Sequence, residues 1–368
     1  MIFEKHIGII GGMSAIGLLI VEHILPLLSG NKVLIAGRRP INRSELIEAY
    51  EDKLEYFQMD YRNEPLLDLY CSQCSLIINA AGPSYKIGDR IAIQALKNDC
   101  HYIDIGGYDA LFHLMRKHEK EMIEKKLCFI IGAGWMPGIS GVFSKYIFKK
   151  HVNDLEDIRL RVYFGAVDEW SYNSTYDLTV SSMKSVKPSI YSYGKEISVK
   201  QSEYIHQKLF NLIGRKKICL PLFDGQLIEI AKSLNQVKEV STFVMVNDFI
   251  SMLTFMYLNA FKKNKPEEAT LILQKDYRRL VKKEKCWGSV ICKISGLKEQ
   301  KYIEKYFYLY TNNNLLFTAL TPVVVCNKIL KNQTKIGLNY PCNSIDCDLF
   351  MEELNSYGIK HSQYEKNN

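Results

Sequence analysis

The sequence predicts an α/β fold: a doubly wound parallel sheet, with a second domain of α+β type inserted into the chain. Three observations predict it. Short apolar runs alternate with helix-like segments over about the first 140 residues, and a glycine-rich turn follows the first run. After that point the segments become longer and richer in β-branched and aromatic residues. At 368 residues the chain is long enough for about two domains.

Six continuous apolar runs predict the strands of the first domain, because strands covered on both faces carry apolar side chains throughout. They are His6 to Ile10, Lys32 to Ala36, Leu54 to Met59, Ser75 to Ala80, Tyr102 to Ile105 and Leu127 to Ile131. Apolar residues at helical spacing predict helices after Ser14 and over Arg43 to Asp52, Gly88 to Asn98 and Ala110 to Lys126. Right-handed crossovers would bring the carboxyl ends of these strands to one edge, where a ligand is expected.

Residues 141–318 predict a second domain with a mixed, mostly antiparallel sheet. Its predicted strands are Ile158 to Phe164, Glu196 to Val199, Lys217 to Leu222, Ser289 to Ser295 and Tyr302 to Thr311, and its predicted helices are Gln201 to Ile213 and Val240 to Lys262. The run from Val240 to Phe261 is apolar enough to suggest a membrane span, but Asn247, Asp248 and Asn259 interrupt it. We therefore expect a buried helix there. The chain is expected to return to the first domain, residues 1–140, over about 319–362.

Composition and charge narrow the class of protein. The net charge of +8 is spread over the chain, and its clusters do not alternate with stacking aromatic residues, so no nucleic-acid partner is expected. Ten cysteines without a secretory signal favour reduced thiols and a cytoplasmic protein. Cys71 and Cys74 form a C-x-x-C pair, but no second pair lies at zinc spacing, so no metal site is expected.

The turn from Gly11 to Gly17 has the context of a dinucleotide fingerprint, because it ends the first strand and opens the first helix. Gly11 would form the tight turn, and Gly17 would let helix and strand pack closely. The pyrophosphate would then be bound by backbone amides of Gly12, Met13, Ser14, Ala15 and Ile16 at the positive end of the helix. Ser14 could also cap that helix. The first domain is thus predicted to be a Rossmann domain.

Two arginines at the end of the second strand favour NADP over NAD as the cofactor. NAD enzymes place a carboxylate at this position to bind the ribose hydroxyls, whereas this chain has Arg38 and Arg39. Guanidinium groups match a 2′-phosphate in charge and in geometry. Asp60, just past the third strand, is a candidate for the adenine pocket. Small residues end the fourth strand and would let the backbone approach the nicotinamide ribose; they are Asn79, Ala80, Ala81 and Gly82, followed by Pro83.

These segments resemble the saccharopine dehydrogenase-like family of NAD(P)-dependent reductases. The resemblance rests on four segments over about the first 145 residues: Gly11 to Gly17, Ile78 to Pro83, His101 to Gly107 and Gly132 to Gly138. An N-A-A-G-P strand end followed about 50 residues later by G-x-x-P-G is unusual among Rossmann proteins generally. The resemblance implies NADPH-dependent reduction of a C=N bond in a small or carrier-tethered substrate. Tyr108 stands where the family often has Glu, which leaves the substrate undetermined.

Hydride transfer is carried out by the cofactor, so the protein must place the acceptor and manage one proton. An imine nitrogen can be protonated from solution, whereas a carbonyl or enoyl acceptor would need an acid such as Tyr. Tyr108 and Tyr176 are the candidates for that role. Trp135, together with Pro83, is predicted to line the substrate pocket, with core packing of Trp135 as the alternative.

Two other functions remain open at this stage. One is an enoyl or imine reductase acting on a carrier-bound intermediate of natural-product synthesis, since basic surface clusters could dock an acidic carrier. The other is a non-catalytic sensor that binds NADP and a protein. A small-molecule or carrier-bound substrate is the expected partner, and no membrane partner is expected. The sequence leaves open whether the chain forms a homodimer.

Overall fold

The computed structural model describes residues 5–28, 30, 32–40, 50, 53–183, 188–210, 214–222, 224–232 and 237–365. Contacts divide the chain into two units. Residues 1–139 and 315–346 form the first, and residues 140–314 and 347–368 form the second. The return to the first unit is therefore made by 315–346, while the chain from Cys347 onward belongs to the second unit.

The first unit alternates strands and helices. In chain order its elements are β1 (His6–Ile10), α1 (Ala15–Ile24), β2 (Val33–Gly37), β3 (Leu54–Gln58), α2 (Glu64–Ser72), β4 (Cys74–Asn79), α3 (Ser84–Ile87), α4 (Arg90–Lys97), β5 (His101–Asp104), α5 (Tyr108–Arg116), α6 (Glu119–Glu124), β6 (Cys128–Ile131) and, after the second unit, most of α13 (Asn314–Leu330), β15 (Gly337–Asn339) and α14 (Pro341–Ser344). The predicted helix at 43–52 lies outside the described residues apart from Tyr50.

The strands of this unit form a parallel sheet in the order β15-β6-β5-β4-β1-β2-β3. The carboxyl ends of β1, β2, β4 and β5 are aligned: Ile10 is in register with both Ala36 and Asn79, and Asn79 is in register with Asp104. The loops that follow these strands therefore lie at one edge of the sheet. Buried apolar side chains fill both faces, as the continuous apolar runs predicted. The doubly wound fold predicted from the sequence is confirmed.

The second unit contains a mixed sheet in the order β10-β11-β12-β7-β13-β14-β16, with β8 beside β12 and β9 beside β8. Its elements are α7 (Ile139–His151), β7 (Glu156–Val167), α8 (Tyr172–Met183), β8 (Ser189–Ser192), β9 (Lys195–Ser198), α9 (Gln201–Tyr204), β10 (His206–Phe210), β11 (Arg215–Leu222), α10 (Gly225–Lys232), β12 (Val237–Val246), α11 (Phe249–Phe261), α12 (Pro266–Val281), β13 (Trp287–Lys298), β14 (Lys301–Thr311), α15 (Cys347–Ser356) and β16 (His361–Glu365). Pairing is antiparallel except between β12 and β7. The α+β character of this domain is confirmed.

Two helix predictions in the second unit are wrong. Among the described residues of the segment Gln201 to Ile213 the only helix is the short α9, after which His206–Phe210 is a strand that pairs with β11. The segment Val240 to Lys262 is strand β12 followed by helix α11. The break falls at Asp248, whose side chain accepts a hydrogen bond from the Ser251 amide and so starts the helix. Helix α11 is also not buried: most of its large apolar side chains are exposed.

The thiols of the C-x-x-C pair lie in the packed interior of the first unit. Cys71 and Cys74 are fully buried, and burial raises the pKa of both thiols. In the part of the chain that the structure describes, no cluster of three or more His, Cys, Asp or Glu side chains could hold a metal ion. Within the same residues, no helix combines the length and the apolar composition needed to cross a membrane.

Candidate functional site: the carboxyl edge of the parallel sheet

The glycine turn after β1 is closed by hydrogen bonds between its own residues. Gly11 has a φ of +82°, which only glycine adopts readily, and the Ser14 amide donates to its carbonyl oxygen at 2.9 Å. The Ser14 hydroxyl accepts from the Gly17 amide at 3.0 Å and caps α1, as predicted. Because the Ser14 amide is used within the turn, the amides expected to meet a phosphate are those of its neighbours between Gly12 and Ile16.

Close packing explains why Gly11 and Gly17 cannot carry a side chain. A Cβ on Gly17 would lie 2.3 Å from the Gly11 carbonyl oxygen. A Cβ on Gly11 would lie 2.8 Å from backbone atoms of Ala80 and Ala81. The turn after β1 therefore touches the loop after β4. These strands are adjacent, and their crossovers lead to opposite halves of the sheet, so the contact marks the switch point where such folds bind ligands.

The loop after β2 presents Arg38 and Arg39 to solvent. Its backbone is fixed from β3: the Tyr56 hydroxyl donates to the Gly37 carbonyl oxygen at 2.9 Å and also contacts the carbonyl oxygen of Arg39. The Gln58 side-chain amide donates to the Arg38 carbonyl oxygen at 3.4 Å. The backbone is thus held while both guanidinium groups stay accessible. Sequence reasoning found the arginines but missed Tyr56, which the register of β2 with β3 brings to this loop.

Asp60 lies beside this loop and is held by an arginine that sequence reasoning missed. The Arg62 side chain pairs with Asp60 at 2.5 Å, and the Arg62 amide donates to the same carboxylate at 3.0 Å. Hydrogen bonds from Arg62, with a smaller contribution from the charge of Arg38, lower the pKa of Asp60 to about 2. Two guanidinium groups, those of Arg62 and Arg38, therefore act on one ionised carboxylate at this end of the edge.

A buried hydrogen-bond network positions the loop after β4. The Asn79 side chain donates to Asp104 at 2.9 Å and accepts from the Ala81 amide at 3.1 Å. Asp104 also accepts from the Tyr102 hydroxyl at 2.5 Å and from the Gly106 amide at 2.9 Å. Burial raises the pKa of Asp104, and these hydrogen bonds oppose that rise. Since the Asn79 side chain is used internally, its contribution to a cofactor site would be to fix the backbone of the loop.

Ala80 and Ala81 follow this anchor with small side chains, and Gly82 and Pro83 lead into α3. The Pro83 carbonyl oxygen accepts from the Lys86 amide at 3.0 Å and starts that helix. Residues 81 to 85 are all partly exposed. The loop therefore offers backbone and small side chains at the edge, beside the glycine turn.

Tyr108 lies at the start of α5, on the loop after β5. Its φ of +48° is strained for a residue with a side chain, and its amide donates to the Gly106 carbonyl oxygen at 2.7 Å. Its ring stacks on that of Tyr85, with centroids 5.8 Å apart and planes 12° apart. Tyr85 belongs to α3, directly after the loop that ends β4. The structure thus brings Tyr108 next to the 79–83 loop.

Trp135 lies in the compact loop after β6 and is 9% exposed. Gly134 and Gly138 pair with each other there, and a Cβ on Gly134 would lie 2.4 Å from the Ile105 carbonyl oxygen. The Thr321 hydroxyl of the return helix α13 donates to the Gly134 carbonyl oxygen at 2.8 Å. The Trp135 side chain is therefore mostly buried, on a loop whose backbone is held by other parts of the first unit.

Tyr176 lies in the other unit, on α8, where it is 7% exposed. Its ring is 6.1 Å from that of Tyr172 on the same helix. Of the two predicted acids, Tyr108 therefore shares the sheet edge with the predicted cofactor residues, and Tyr176 belongs to the second unit.

These features define a two-unit protein of the Rossmann class. No protein-family model matches the sequence, and no curated protein matches it at a significant level. The chain is similar in structure to saccharopine dehydrogenase (L-Glu forming) from Saccharomyces cerevisiae, with a TM-score of 0.68, 13% identity, and coverage of 98% of this chain and 100% of that one. DAP dehydrogenase of C. glutamicum matches with a TM-score of 0.47, 12% identity, and coverage of 92% and 93%.

The likeness to the yeast enzyme spans both units and establishes a shared fold. The predicted resemblance to saccharopine dehydrogenase-like proteins is thereby confirmed at the level of the fold. An identity of 13% carries no activity with it, so the chemistry must be argued from the site.

Proposed function

We propose that this chain is an oxidoreductase that uses NADPH to reduce a C=N bond in a small or carrier-bound substrate. The observation that carries the proposal is the meeting of three features on one sheet edge. The capped glycine turn of 11–17 touches the 79–83 loop, and Arg38 and Arg39 follow the strand next to that turn. The glycine turn suits a pyrophosphate, the 79–83 loop suits a nicotinamide ribose, and the two arginines suit a 2′-phosphate.

The residues fit the cofactor by their chemistry. Amides between Gly12 and Ile16 would bind the pyrophosphate, and the two arginines would bind the 2′-phosphate. Asp60 would border the adenine, where its charge is already balanced by Arg62. The cofactor supplies a hydride when bound. The yeast saccharopine dehydrogenase, which shares this fold, forms L-Glu according to its name, and this supports an amine or imine substrate.

Reduction of an imine adds a hydride to carbon and a proton to nitrogen, and it yields an amine. Tyr108 is the candidate on this edge for holding the proton, because its position is fixed by the turn at Gly106 and by the stack on Tyr85. Tyr176 remains a candidate on the second unit.

The test is a spectroscopic assay of NADPH oxidation by the full chain, with mixtures of primary amines and 2-oxo acids as imine sources. We expect NADPH to be consumed only when both components are present. If NADPH is consumed only with a carrier-tethered substrate, the chain carries out the carrier-dependent reaction instead. Binding of NADPH without consumption in any mixture would indicate the non-catalytic sensor and contradict the proposal.

Replacing the Tyr108 hydroxyl tests its role separately. We expect Tyr108→Phe to lower kcat by about 10² while leaving the Kd for NADPH unchanged, because a positioned proton donor acts in the chemical step. Tyr85→Phe is the matched control, since it keeps the ring stack and removes a hydroxyl from the neighbouring ring. Equal effects of the two substitutions, or an effect of Tyr176→Phe alone, would remove Tyr108 from the mechanism.

A further inference from the structure

Helix α11 exposes its apolar side. Its exposed large side chains are between 45% and 73% accessible and comprise Phe249, Ile250, Leu253, Met256, Tyr257 and Phe261. Fewer side chains of this helix face the interior. Ser251 and Leu258 are buried, and Phe255 packs against the core of the second unit. Helices on the surface of globular proteins usually show the opposite pattern.

The exposed residues form one stripe. At about 100° per residue they cover, together with Ala260, a continuous arc of about 140° around the helix. The segment from Phe249 to Phe261 contains no charged residue. With 13 residues the helix is about 20 Å long. An exposed apolar surface of this size marks an interaction site.

Cations lie at both ends of the stripe. At its start, Arg279 of α12 donates to Asp248 at 2.6 and 2.8 Å, so the last turns of α12 lie beside the first turn of α11. Five basic side chains line a shallow depression of about 360 Å³ there: Lys275, Arg278 and Arg279 of α12, and Lys282 and Lys283 directly after it. At the other end are Lys262, Lys263 and Lys265, of which the first and last pair with Glu268.

This distribution of charge selects the occupant. A second copy of the chain would bring the basic cluster around Arg279 onto itself if the two stripes ran parallel, and onto a mostly paired set of lysines if they ran antiparallel. Neither arrangement brings an excess of anions to this cluster. An acidic protein would satisfy the charges but would also have to supply an apolar surface of matching width. A bilayer with anionic lipids supplies both, since its acyl boundary accepts an apolar face and its phosphates attract cations.

We propose that α11 docks the protein on an anionic membrane surface, with the apolar stripe inserted at the boundary between headgroups and acyl chains. The basic clusters at the two ends contact lipid phosphates. A helix of 13 residues is too short to span a bilayer, so it lies along the surface. The sequence led us to expect a buried helix and no membrane partner, and exposure of the stripe is the observation that reverses this expectation.

The test is flotation of the full chain with vesicles of two parts phosphatidylcholine to one part phosphatidylglycerol. We expect binding that weakens with added salt and is lower on pure phosphatidylcholine. The double substitution Leu253→Gln with Met256→Gln should weaken binding by about tenfold, because both apolar side chains are inserted. The matched control is Leu69→Gln with Ile123→Gln, two exposed apolar residues of the other unit, which should bind as the unsubstituted chain does.

The double substitution Lys282→Glu with Lys283→Glu tests the positive charge at the start of the stripe and should reduce binding to the anionic vesicles. The control is Lys195→Glu with Lys301→Glu. Melting temperatures verify that each variant is folded. The proposal is overturned if the unsubstituted chain does not float with anionic vesicles or if the Leu253 and Met256 variant floats equally well. It is also overturned if the unsubstituted chain does not bind vesicles and the Leu253 and Met256 substitutions instead convert a dimer to a monomer or abolish binding to an acidic carrier protein.

Discussion

Replacing Arg38 and Arg39 together by alanine is expected to raise the Kd for NADPH by about 100-fold, since two charge-assisted contacts to the 2′-phosphate contribute roughly 3 kcal/mol. The Kd for NADH should stay within about threefold of its original value, because the turn that binds the pyrophosphate is untouched. The backbone of this loop is held by Tyr56 and Gln58, so the substitutions remove charge without removing the loop's anchors.

The matched control for that experiment is Arg116→Ala. Arg116 is exposed and ends α5, and in a right-handed parallel fold the end of a crossover helix lies at the sheet edge opposite the ligand. Its replacement should leave both dissociation constants unchanged. Calorimetric titration of each variant with both cofactors measures the four values. If the double substitution weakens NADPH and NADH equally, the arginines do not recognise the 2′-phosphate.

Replacing Asp104 by alanine is expected to lower the free energy of unfolding of the first unit by about 3 kcal/mol. The substitution leaves the buried Asn79 side-chain amide, the Tyr102 hydroxyl and the Gly106 backbone amide without their acceptor. A loss of this size corresponds to a fall in melting temperature of about 8 °C for a unit of this length. NADPH binding should weaken as well, because Asn79 orients the loop that touches the glycine turn.

Asp89→Ala is the control for Asp104. Asp89 precedes α4 in the same unit, and its side chain makes no capping hydrogen bond to that helix. Differential scanning calorimetry of the two variants should therefore show a loss for Asp104 alone. An equal and small change in both would mean that the buried network contributes little to the unit's stability.

The strands of the first unit could be predicted because each is a short, continuous apolar run bounded by turn residues. The strand Gly337–Asn339 could not, because three residues are too few to form a pattern. The run from Val240 to Phe261 shows a related difficulty. Its apolar composition suits a strand and a helix equally, and the division at Asp248 depends on a cap and on the pairing of β12 with β7.

The candidate site was predictable where it depends on neighbours in the chain, as in the turn from Gly11 to Gly17. It was not predictable where it depends on neighbouring strands. Asp104 serves the Asn79 loop because β4 and β5 place these two residues in register. The hydroxyl of Tyr56 reaches the arginine loop for the same reason, through the pairing of β2 with β3.

Binding of NADPH by the 11–17 turn and by Arg38 and Arg39 can be measured by calorimetric titration of the unsubstituted full chain with NADPH, and then with NADH. We expect one site per chain for NADPH and a markedly higher Kd for NADH. No heat of binding with either cofactor, or tighter binding of NADH, would contradict it.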